Sequence, residues 1–458
     1  MLFHTWIFIV FFLLVYPSYL FLRKTRFNAL WLLVASYVFY AWWNPLYLIL
    51  IVYSTLLDFW VVQWMEKSQK RKTWLFISIF NNLALLGFFK YGGFVTENVN
   101  ALLQSLAVAY RLPAPDVLLP VGISFYTFQS MSYTIDFYRG QIPREPSFIR
   151  FATFVSFFPQ LVAGPIERAK NLLPQFAVTP KIKKEDIADG LSLFIVGLFK
   201  KVALADYLAM YVDPIYAVPD NFQAPALILA TFAFGWQIYF DFSGYTDMAR
   251  GIARLMGYRL MLNFNNPYLA TDLGDFWGRW HISLSTWFKD YVYIPLGGNR
   301  RGQSNMYRNV LITMVVSGLW HGAGWTFVIW GALHAVGRVL TIRLERTDFY
   351  RERFPRFIKQ LLIFAFVTFT WIFFRAASLD EALLIVNRIF TSGIADPRFP
   401  LLALGMIAAL WGYAFLYESR MRSLLQLTPV RVGLVILMAV YLSVAAPSGE
   451  QAFIYFQF

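Results

Sequence analysis

Apolar stretches close to the length of a membrane span recur along the whole chain. A helix needs about 20 mainly apolar residues to cross a bilayer, and the first such stretch begins at Thr5. Only 14% of the residues are charged, whereas a soluble chain carries about 25%. We therefore predict an all-α polytopic membrane protein with one membrane domain over 1–458. The apolar segments lie at 5–22, 29–43, 46–63, 74–95, 117–137, 147–164, 187–212, 222–242, 309–320, 324–341, 357–377, 400–418 and 428–446.

Short basic loops predict the topology, because such loops favour the cytoplasmic side of a membrane. They occur at 23–26, 66–72, 181–184, 299–302 and 338–359, whereas 212–221 carries only acidic charges and is expected outside. The first segment is too long for a signal-peptide core and is read as a retained span. Segment 147–164 has basic residues on both sides, so we predict a re-entrant segment broken at Pro159 and Gly164. The stretch 272–298 mixes charges with aromatic residues, which is typical of an interfacial helix or a wet cavity wall.

The net charge of +14 is explained by these loops and by contact with anionic membrane lipids, so we expect no nucleic-acid partner. The chain has no cysteine, which excludes disulfides, thiolate nucleophiles and cysteine metal sites. It also lacks HExxH, GxSxG and Walker A motifs.

One histidine stands inside an apolar stretch, in SGLWHGAGW at 317–325. An ionisable residue in a membrane segment normally faces a bundle interior or a cavity, and a functional role is the default hypothesis. Gly318, Gly322 and Gly324 leave room for a ligand or an irregular backbone beside His321. We predict that His321 is a general base; the alternative is a packing histidine bonded to a carbonyl.

The other polar candidates are less specific. His281, in FWGRWHISLSTWF, is either a site residue or a histidine that touches water at the interface. His334 is expected to be a packing residue, since 13 helical residues place it on the face opposite His321. The spacings of 40 and 13 between these histidines match no metal-ligand pattern, so no metal is expected. Asp241 and Asp247, at the end of an apolar span, are further candidates for chemistry; the alternative is hydrogen bonding between helices, which we favour for most of the serines and threonines.

Five blocks resemble the membrane-bound O-acyltransferases, closest to the bacterial alginate O-acetyltransferase branch. They are PVGISFYTFQSMSYTIDFYRG (120–140), FFPQLVAGPIERAKNLLPQF (157–176), FDFSGYTDMARGIARLMG (240–257), NFNNPYLATDLGDFWGRWHISLSTWFKDYVYIPLGGNRRG (263–302) and SGLWHGAGWTFVIWGALHA (317–335). The resemblance implies about a dozen helices around a central tunnel, with a motif-bearing core at about 120–340. It implies transfer of an acyl group, expected to be acetyl from acetyl-CoA, across the bacterial inner membrane to an extracytoplasmic polysaccharide such as alginate. It also implies a periplasmic partner that resembles an SGNH hydrolase, and no tightly bound cofactor.

The same resemblance assigns residues. The family's catalytic histidine falls on His321 and its upstream histidine on His281. The polar span 120–137 and the belt 272–298 are expected to line the substrate path. The residues expected along this path or at the donor are Trp320, Trp280, Arg279, Asp275 and Asn266, with Arg300 and Arg301 at the cytoplasmic mouth.

Two alternatives stay open from sequence. A transporter or flippase for an envelope polysaccharide precursor would also place ionisable residues inside the membrane. A non-catalytic scaffold of such a complex would leave His321 without a function. The acceptor and any acyl-enzyme intermediate are also undetermined; with no cysteine, an intermediate would use Ser, Thr, His or a partner residue.

Overall fold

The described residues fold into helices joined by turns. The structure, a computed structural model, describes residues 1–444 and 453–454, and no strand occurs among them. This confirms the predicted all-α class. The α-helices are α1 (Trp6–Leu22), α2 (Asn28–Ala41), α3 (Leu48–Lys67), α4 (Arg71–Leu86), α5 (Gly92–Ser105), α6 (Ile123–Tyr138), α7 (Phe148–Ser156), α8 (Ala169–Phe176), α9 (Lys184–Leu198), α10 (Asp206–Ala217), α11 (Ala224–Leu255), α12 (Leu273–Arg279), α13 (Ile282–Phe288), α14 (Gln303–His321), α15 (Trp325–Leu344), α16 (Arg356–Arg375), α17 (Leu379–Thr391), α18 (Leu401–Glu418), α19 (Arg422–Leu425) and α20 (Thr428–Val444).

Several helices have the length and composition of membrane spans. Within the described chain six helical stretches qualify, and α1, α2 and α20 are shorter apolar helices. The six are Pro45–Lys67, Arg71–Ser105, Ala224–Leu255, Trp325–Leu344, Arg356–Arg375 and Leu401–Glu418. The protein is therefore a multi-pass membrane protein, as predicted.

The helices fall into two compact units. Unit 1 is Met1–Phe194 with Met248–Met261, and unit 2 is Ile195–Asp247 with the described part of Leu262–Phe458. The boundary falls inside α9 and again inside α11. The single membrane domain expected over 1–458 stays a prediction.

In unit 1, α3, α4 and α6 pack against one another, and α2 packs on α7. The segment expected to be re-entrant is helical only over α7 and continues as turns through Pro159. A helix of this length rises about 13 Å, which is too short to cross a bilayer. The chain before α6 turns at Gly122, whose φ is +76°, and a Cβ there would lie 2.9 Å from the Leu161 carbonyl oxygen. This turn therefore requires glycine.

In unit 2 the structure differs from the predicted segments at two places. The segment expected to end at 242 continues as α11 to Leu255. Gly244 within this helix allows a close backbone contact, since a Cβ there would lie 2.7 Å from the Gly197 carbonyl oxygen. The amphipathic stretch 272–298 is not one interfacial helix. It forms α12, a break at Trp280 and His281, α13, and the π-helical turn Lys289–Tyr293.

Candidate active site

His321 is the last residue of α14, at the point where this helix turns into α15. Its side chain is buried, with 4% exposure. Three aromatic rings surround it: the ring centroids of Trp320, Trp330 and Phe374 lie 5.0, 5.2 and 5.2 Å from the imidazole. The predicted catalytic histidine is thus held in an apolar aromatic cage rather than at a wet surface.

The glycines around His321 serve the packing of α14 on α15. A Cβ at Gly318 would lie 2.1 Å from the carbonyl oxygen of Phe327, and one at Gly322 would lie 1.9 Å from the ring of Phe327. The sequence suggested that these glycines leave room for a ligand. In the structure their immediate neighbours are protein atoms of Phe327, whereas Gly324 makes only ordinary contacts. The α14–α15 hairpin therefore fixes the position of His321 through backbone contact.

His281 lies between α12 and α13, in a backbone conformation that is rare for a residue with a side chain. Its φ is 42° and its ψ is 53°, in the left-handed region. Residues other than glycine seldom adopt this region unless the surrounding structure holds them there, and such strain is concentrated at functional sites. The side chain is fully buried.

Asn263 determines which nitrogen of His281 carries the proton. The Asn263 side-chain oxygen Oδ1 accepts hydrogen bonds from the backbone N–H of Ser283 at 3.1 Å and from its Oγ at 2.9 Å. This oxygen also lies 3.2 Å from Nδ1 of His281. Because the backbone donor identifies the atom as the amide oxygen, Nδ1 of His281 must be a donor. Burial lowers the pKa of His281 to about 3, so the neutral ring keeps its lone pair on Nε2.

The sequence did not indicate Asn263, although it pointed to Asn266 in the same NFNN stretch. Asn266 lies in a turn with φ 45°, just before the short 3₁₀ helix Pro267–Leu269. Its proposed place on the substrate path stays a prediction. The available signal for Asn263 was a polar residue in an otherwise apolar context, 18 residues before His281, and only the fold shows that the two meet.

Aromatic rings connect the three histidines of unit 2. The ring of Trp320 lies 6.0 Å from His281 and 5.0 Å from His321. On the other side, Trp330 lies 5.2 Å from His321 and 4.7 Å from His334. Among the residues that the structure describes, no group of three His, Asp or Glu side chains is placed to hold a metal ion.

His334 is engaged in a local hydrogen bond. Its Nε2 lies 3.0 Å from the Thr370 hydroxyl, and its ring packs 5.1 Å from Trp277. These contacts favour the packing role that the sequence suggested for this residue.

The other predicted site residues divide between an aromatic core and a charged edge. Trp280 is buried, with ring centroids 5.1 Å from Phe264 and 5.2 Å from Trp371. Arg279 forms an ion pair with Asp275 at 2.6 Å and another with Glu418. Both Arg279 and Asp275 are therefore already paired within the protein.

Arg300 and Arg301 lie at the opposite end of α14 from His321. They are exposed in the turn before Gln303, where Gly297 and Gly298 have φ values of 109° and 56°. The 19 residues of α14 correspond to about 27 Å along the helix axis. These arginines are thus not part of the histidine cluster.

A buried charge cluster is linked to His281 through the residue that follows Asp241. Lys201, in the π-helical segment Phe199–Ala205, pairs with Asp206 at 2.8 Å and with Asp241 at 3.0 Å. The next residue, Phe242, packs edge-on against His281 with a centroid distance of 4.7 Å. The sequence singled out Asp241 but not its lysine partner, because Lys201 is 40 positions away.

The comparison with protein families decides the identity. The model of the membrane-bound O-acyltransferase family matches residues 59–380, which include every histidine of the site. The chain belongs to the membrane-bound O-acyltransferase family. The resemblance seen in the sequence is confirmed, and the protein is an O-acyltransferase.

Relatives of this O-acyltransferase act on different polymers. It is 41% identical over 401 residues to the protein named "Probable alginate O-acetylase AlgI" of Pseudomonas putida, covering 86% of this chain and 81% of that one. It is 37% identical over 395 residues to the peptidoglycan O-acetyltransferase of Helicobacter pylori, covering 80% and 74%. A teichoic acid D-alanyltransferase of Bacillus subtilis is 30% identical over 240 residues, covering 49% and 59%.

Proposed function

We propose that this O-acyltransferase moves an acetyl group from cytoplasmic acetyl-CoA to a hydroxyl destined for an extracytoplasmic polysaccharide such as alginate. Relatives named for O-acetylation of alginate and peptidoglycan support the acyl group and the acceptor class. The observation that carries the chemistry is the pair of buried histidines, His321 and His281, on either side of the Trp320 ring.

In the proposed reaction His321 is the general base. Its imidazole takes the proton of the acceptor hydroxyl as that oxygen attacks the thioester carbonyl carbon. A carbon–oxygen bond forms, the carbon–sulfur bond breaks, and the CoA sulfur leaves with the proton that His321 received. Such proton transfer contributes about 10²–10⁴-fold to a rate, and the surrounding Trp and Phe rings strengthen it by excluding water.

His281 acts as the second histidine of the site. With its Nδ1 proton directed at Asn263, the ring presents Nε2 as a hydrogen-bond acceptor. A neutral, fixed imidazole in this position can orient a hydroxyl without being reorganised during the reaction.

The remaining assignments follow from the same proposal. Arg300 and Arg301 would meet the phosphates of the donor at the far end of α14, and Trp280, Trp320, Arg279, Asp275 and Asn266 would line the path. The bacterial inner membrane is the location in which a cytoplasmic donor and an extracytoplasmic acceptor are both reached. A periplasmic SGNH-hydrolase-like protein would complete transfer to the polysaccharide.

The test is acetyl-CoA turnover by the purified protein in nanodiscs. Turnover is measured as the release of CoA from radiolabelled acetyl-CoA. His321→Ala should lose about 10²–10⁴-fold in rate, and His281→Ala should also lose activity. His334→Ala is the matched control, because this ring is equally buried and touches the same Trp330.

The outcomes separate the alternatives. If the wild type neither releases CoA nor is stabilised by it, even with membranes that supply a partner, the donor assignment fails. Substrate movement without CoA release would favour a transporter. Equal activity in the wild type and His321→Ala would favour a scaffold.

A further inference from the structure

The turn that carries His281 is held by a short piece of chain that runs beside it. On one side of His281, the Asn265 backbone N–H donates to the Arg279 carbonyl at 2.9 Å. On the other side, the Ile282 N–H donates to the Asn263 carbonyl at 2.9 Å. The Asn263 side chain adds its contact with Nδ1 of His281. The position of this piece of chain therefore determines whether His281 keeps its left-handed turn and its Nδ1 contact.

The side chain of Arg279 binds this piece of chain, segment 263–265, a second time. Its Nη1 donates to the Asn265 carbonyl oxygen at 3.3 Å, while its own backbone carbonyl accepts from the Asn265 N–H. The two residues are therefore joined in both directions. Arg279 is the last residue of α12 and lies two positions before His281. This double contact fixes the end of α12 against segment 263–265.

Two carboxylates hold the guanidinium of Arg279 in place. Its Nε donates to Oδ1 of Asp275, one turn earlier in α12, at 2.6 Å. Its Nη1 also pairs with Glu418, the last residue of α18. The other Asp275 oxygen accepts from the Thr271 N–H at 3.2 Å. Because the Arg279 side chain is only 18% exposed, water competes little for these contacts.

These contacts make Arg279 poorly suited to bind the phosphates of a donor directly. Three of its five guanidinium N–H groups, one on Nε and two on Nη1, already donate to protein oxygens. The charges also balance locally, because Arg356 lies 3.5 Å from Glu418 and adds a second cation to the two carboxylates. A phosphate would bring further negative charge beside Asp275 and Glu418. The contacts therefore favour a role in which Arg279 acts through the protein.

We propose that Arg279 is a positioning residue for His281. Held by its two carboxylates, the guanidinium keeps segment 263–265 against the turn between α12 and α13, so that Asn263 stays at Nδ1 of His281. A guanidinium suits this task because its planar donors bond to several oxygens at fixed angles, whereas a lysine ammonium is a single point of contact. The inference rests on the proposed function, in which the neutral His281 ring orients a hydroxyl.

The first experiment compares Arg279→Lys with the wild type in nanodiscs. CoA release is measured over a range of acetyl-CoA concentrations, so that kcat and KM are obtained separately. Loss of a supporting contact of this kind typically costs about 10–100-fold, and we expect this loss in kcat with KM for acetyl-CoA nearly unchanged. An arginine that bound the donor itself would instead raise KM and leave kcat in place, and that result would overturn the proposal.

Glu418→Gln tests whether the two side chains act together. It keeps an acceptor oxygen for Arg279 but removes the charge, so kcat should fall less than in Arg279→Lys. The variant with both substitutions should be no slower than Arg279→Lys, because losses within one network do not add; additive losses would contradict the shared role. Arg388→Lys is the matched control, since Arg388 also donates to a backbone carbonyl, that of Phe222, and is 26% exposed. Its kcat should match the wild type.

A second readout needs no turnover. If the wild type releases no CoA, the proposed function fails, and the ¹⁵N chemical shifts of labelled histidine still test the positioning role. The chain has only four histidines, and the His281 signal is assigned by its absence in His281→Asn. It should show one tautomer, with the proton on Nδ1, in the wild type and in Arg388→Lys, and a mixture of tautomers in Arg279→Lys. An unchanged His281 signal in Arg279→Lys would overturn the proposal, whatever the turnover.

Discussion

The Asp58 carboxylate, where α3, α4 and α6 pack together, and the histidines of unit 2 are both buried in apolar surroundings, but their neighbours differ. Asp58 is surrounded by hydroxyl and amide donors from two neighbouring helices. His321 is surrounded by the rings of Trp320, Trp330 and Phe374. A carboxylate that accepts several hydrogen bonds ties helices together, whereas an imidazole packed among aromatic rings is shielded from bulk water. The first arrangement is suited to stability, and the second is the one that we propose for proton transfer.

Removing each central side chain should separate these two roles. Asp58→Ala leaves three buried donors without their acceptor, so we expect a loss of about 3–5 kcal/mol in the free energy of unfolding. His321→Ala should change the unfolding temperature far less while it abolishes most of the turnover. Thermal unfolding and CoA release measured on the same nanodisc samples check both. A folded, stable Asp58→Ala protein that had lost only its turnover would contradict this division.

The next largest effect on turnover is expected for substitutions of Asn263, whose side-chain oxygen is hydrogen-bonded to both Ser283 and His281. Asn263→Leu removes the acceptor that fixes the His281 tautomer, and losses of such supporting contacts are typically about 10–100-fold. Asn263→Asp keeps an acceptor oxygen but adds a charge that raises the pKa of His281. The acid limb of its pH–rate profile should therefore move to higher pH. Turnover measured from pH 5 to 8 distinguishes the two variants, and an unchanged profile in Asn263→Asp would contradict the assigned contact.

Backbone packing behind His321 gives a third test. Gly318→Ala places a methyl group where the Phe327 carbonyl oxygen lies, and forcing such a contact costs about 1–3 kcal/mol. Gly412→Ala is the matched helix control, because no atom lies within 4 Å of its Cβ position. We expect the unfolding temperature to fall in the first variant and to stay level or rise slightly in the second. If both variants unfolded at similar temperatures, the α14–α15 contact would have room for the added methyl group, and the close packing at Gly318 would be contradicted.

The smallest expected effect is the pH dependence of the free energy of unfolding that arises from His281. Burial holds the pKa of His281 near 3 in the folded protein, compared with about 6.5 when unfolded. Stability from the neutral ring is therefore complete above pH 6.5 and is lost as the pH falls toward 3, by about 1 kcal/mol at pH 5.5. His281→Asn lacks this loss, so the gap in unfolding temperature between wild type and variant should narrow from pH 7.5 to 5.5. A constant gap would mean that His281 is not buried as a neutral ring.

Much of the fold could be predicted from the sequence because apolar length alone identifies a membrane helix. The segments 5–22, 29–43, 324–341 and 400–418 match α1, α2, α15 and α18 closely. The break at His281 could not be predicted, since a left-handed histidine is imposed by Asn263 and the surrounding rings. The close contact between Gly244 of α11 and the Gly197 backbone could not be predicted either, because the two residues are remote in sequence.

The central residue of the candidate site could be predicted from the sequence, but the residues that position it could not. His321 stood out because an ionisable residue between apolar segments is rare. The glycines beside it were interpreted as space for a ligand, although two of them, Gly318 and Gly322, are required by contacts with Phe327 of α15. Asn263 and Lys201 were missed because a polar residue gives no sign of its partner until the chain is folded. Asp58 was missed for the same reason: its hydrogen-bond donors Ser78, Asn82 and Ser130 are on two other helices.

The contact between α14 and α15 also limits how substrate can reach His321. With Gly318 against the Phe327 carbonyl and Gly331 against the Met314 carbonyl, the two helices have no side-chain layer between them that could compress or slide. We therefore expect α14 and α15 to move together as one rigid hairpin. Separation of these two helices is then not a route to His321. Rotation of the single rings that surround the imidazole, those of Trp320, Trp330 and Phe374, would leave this backbone contact intact.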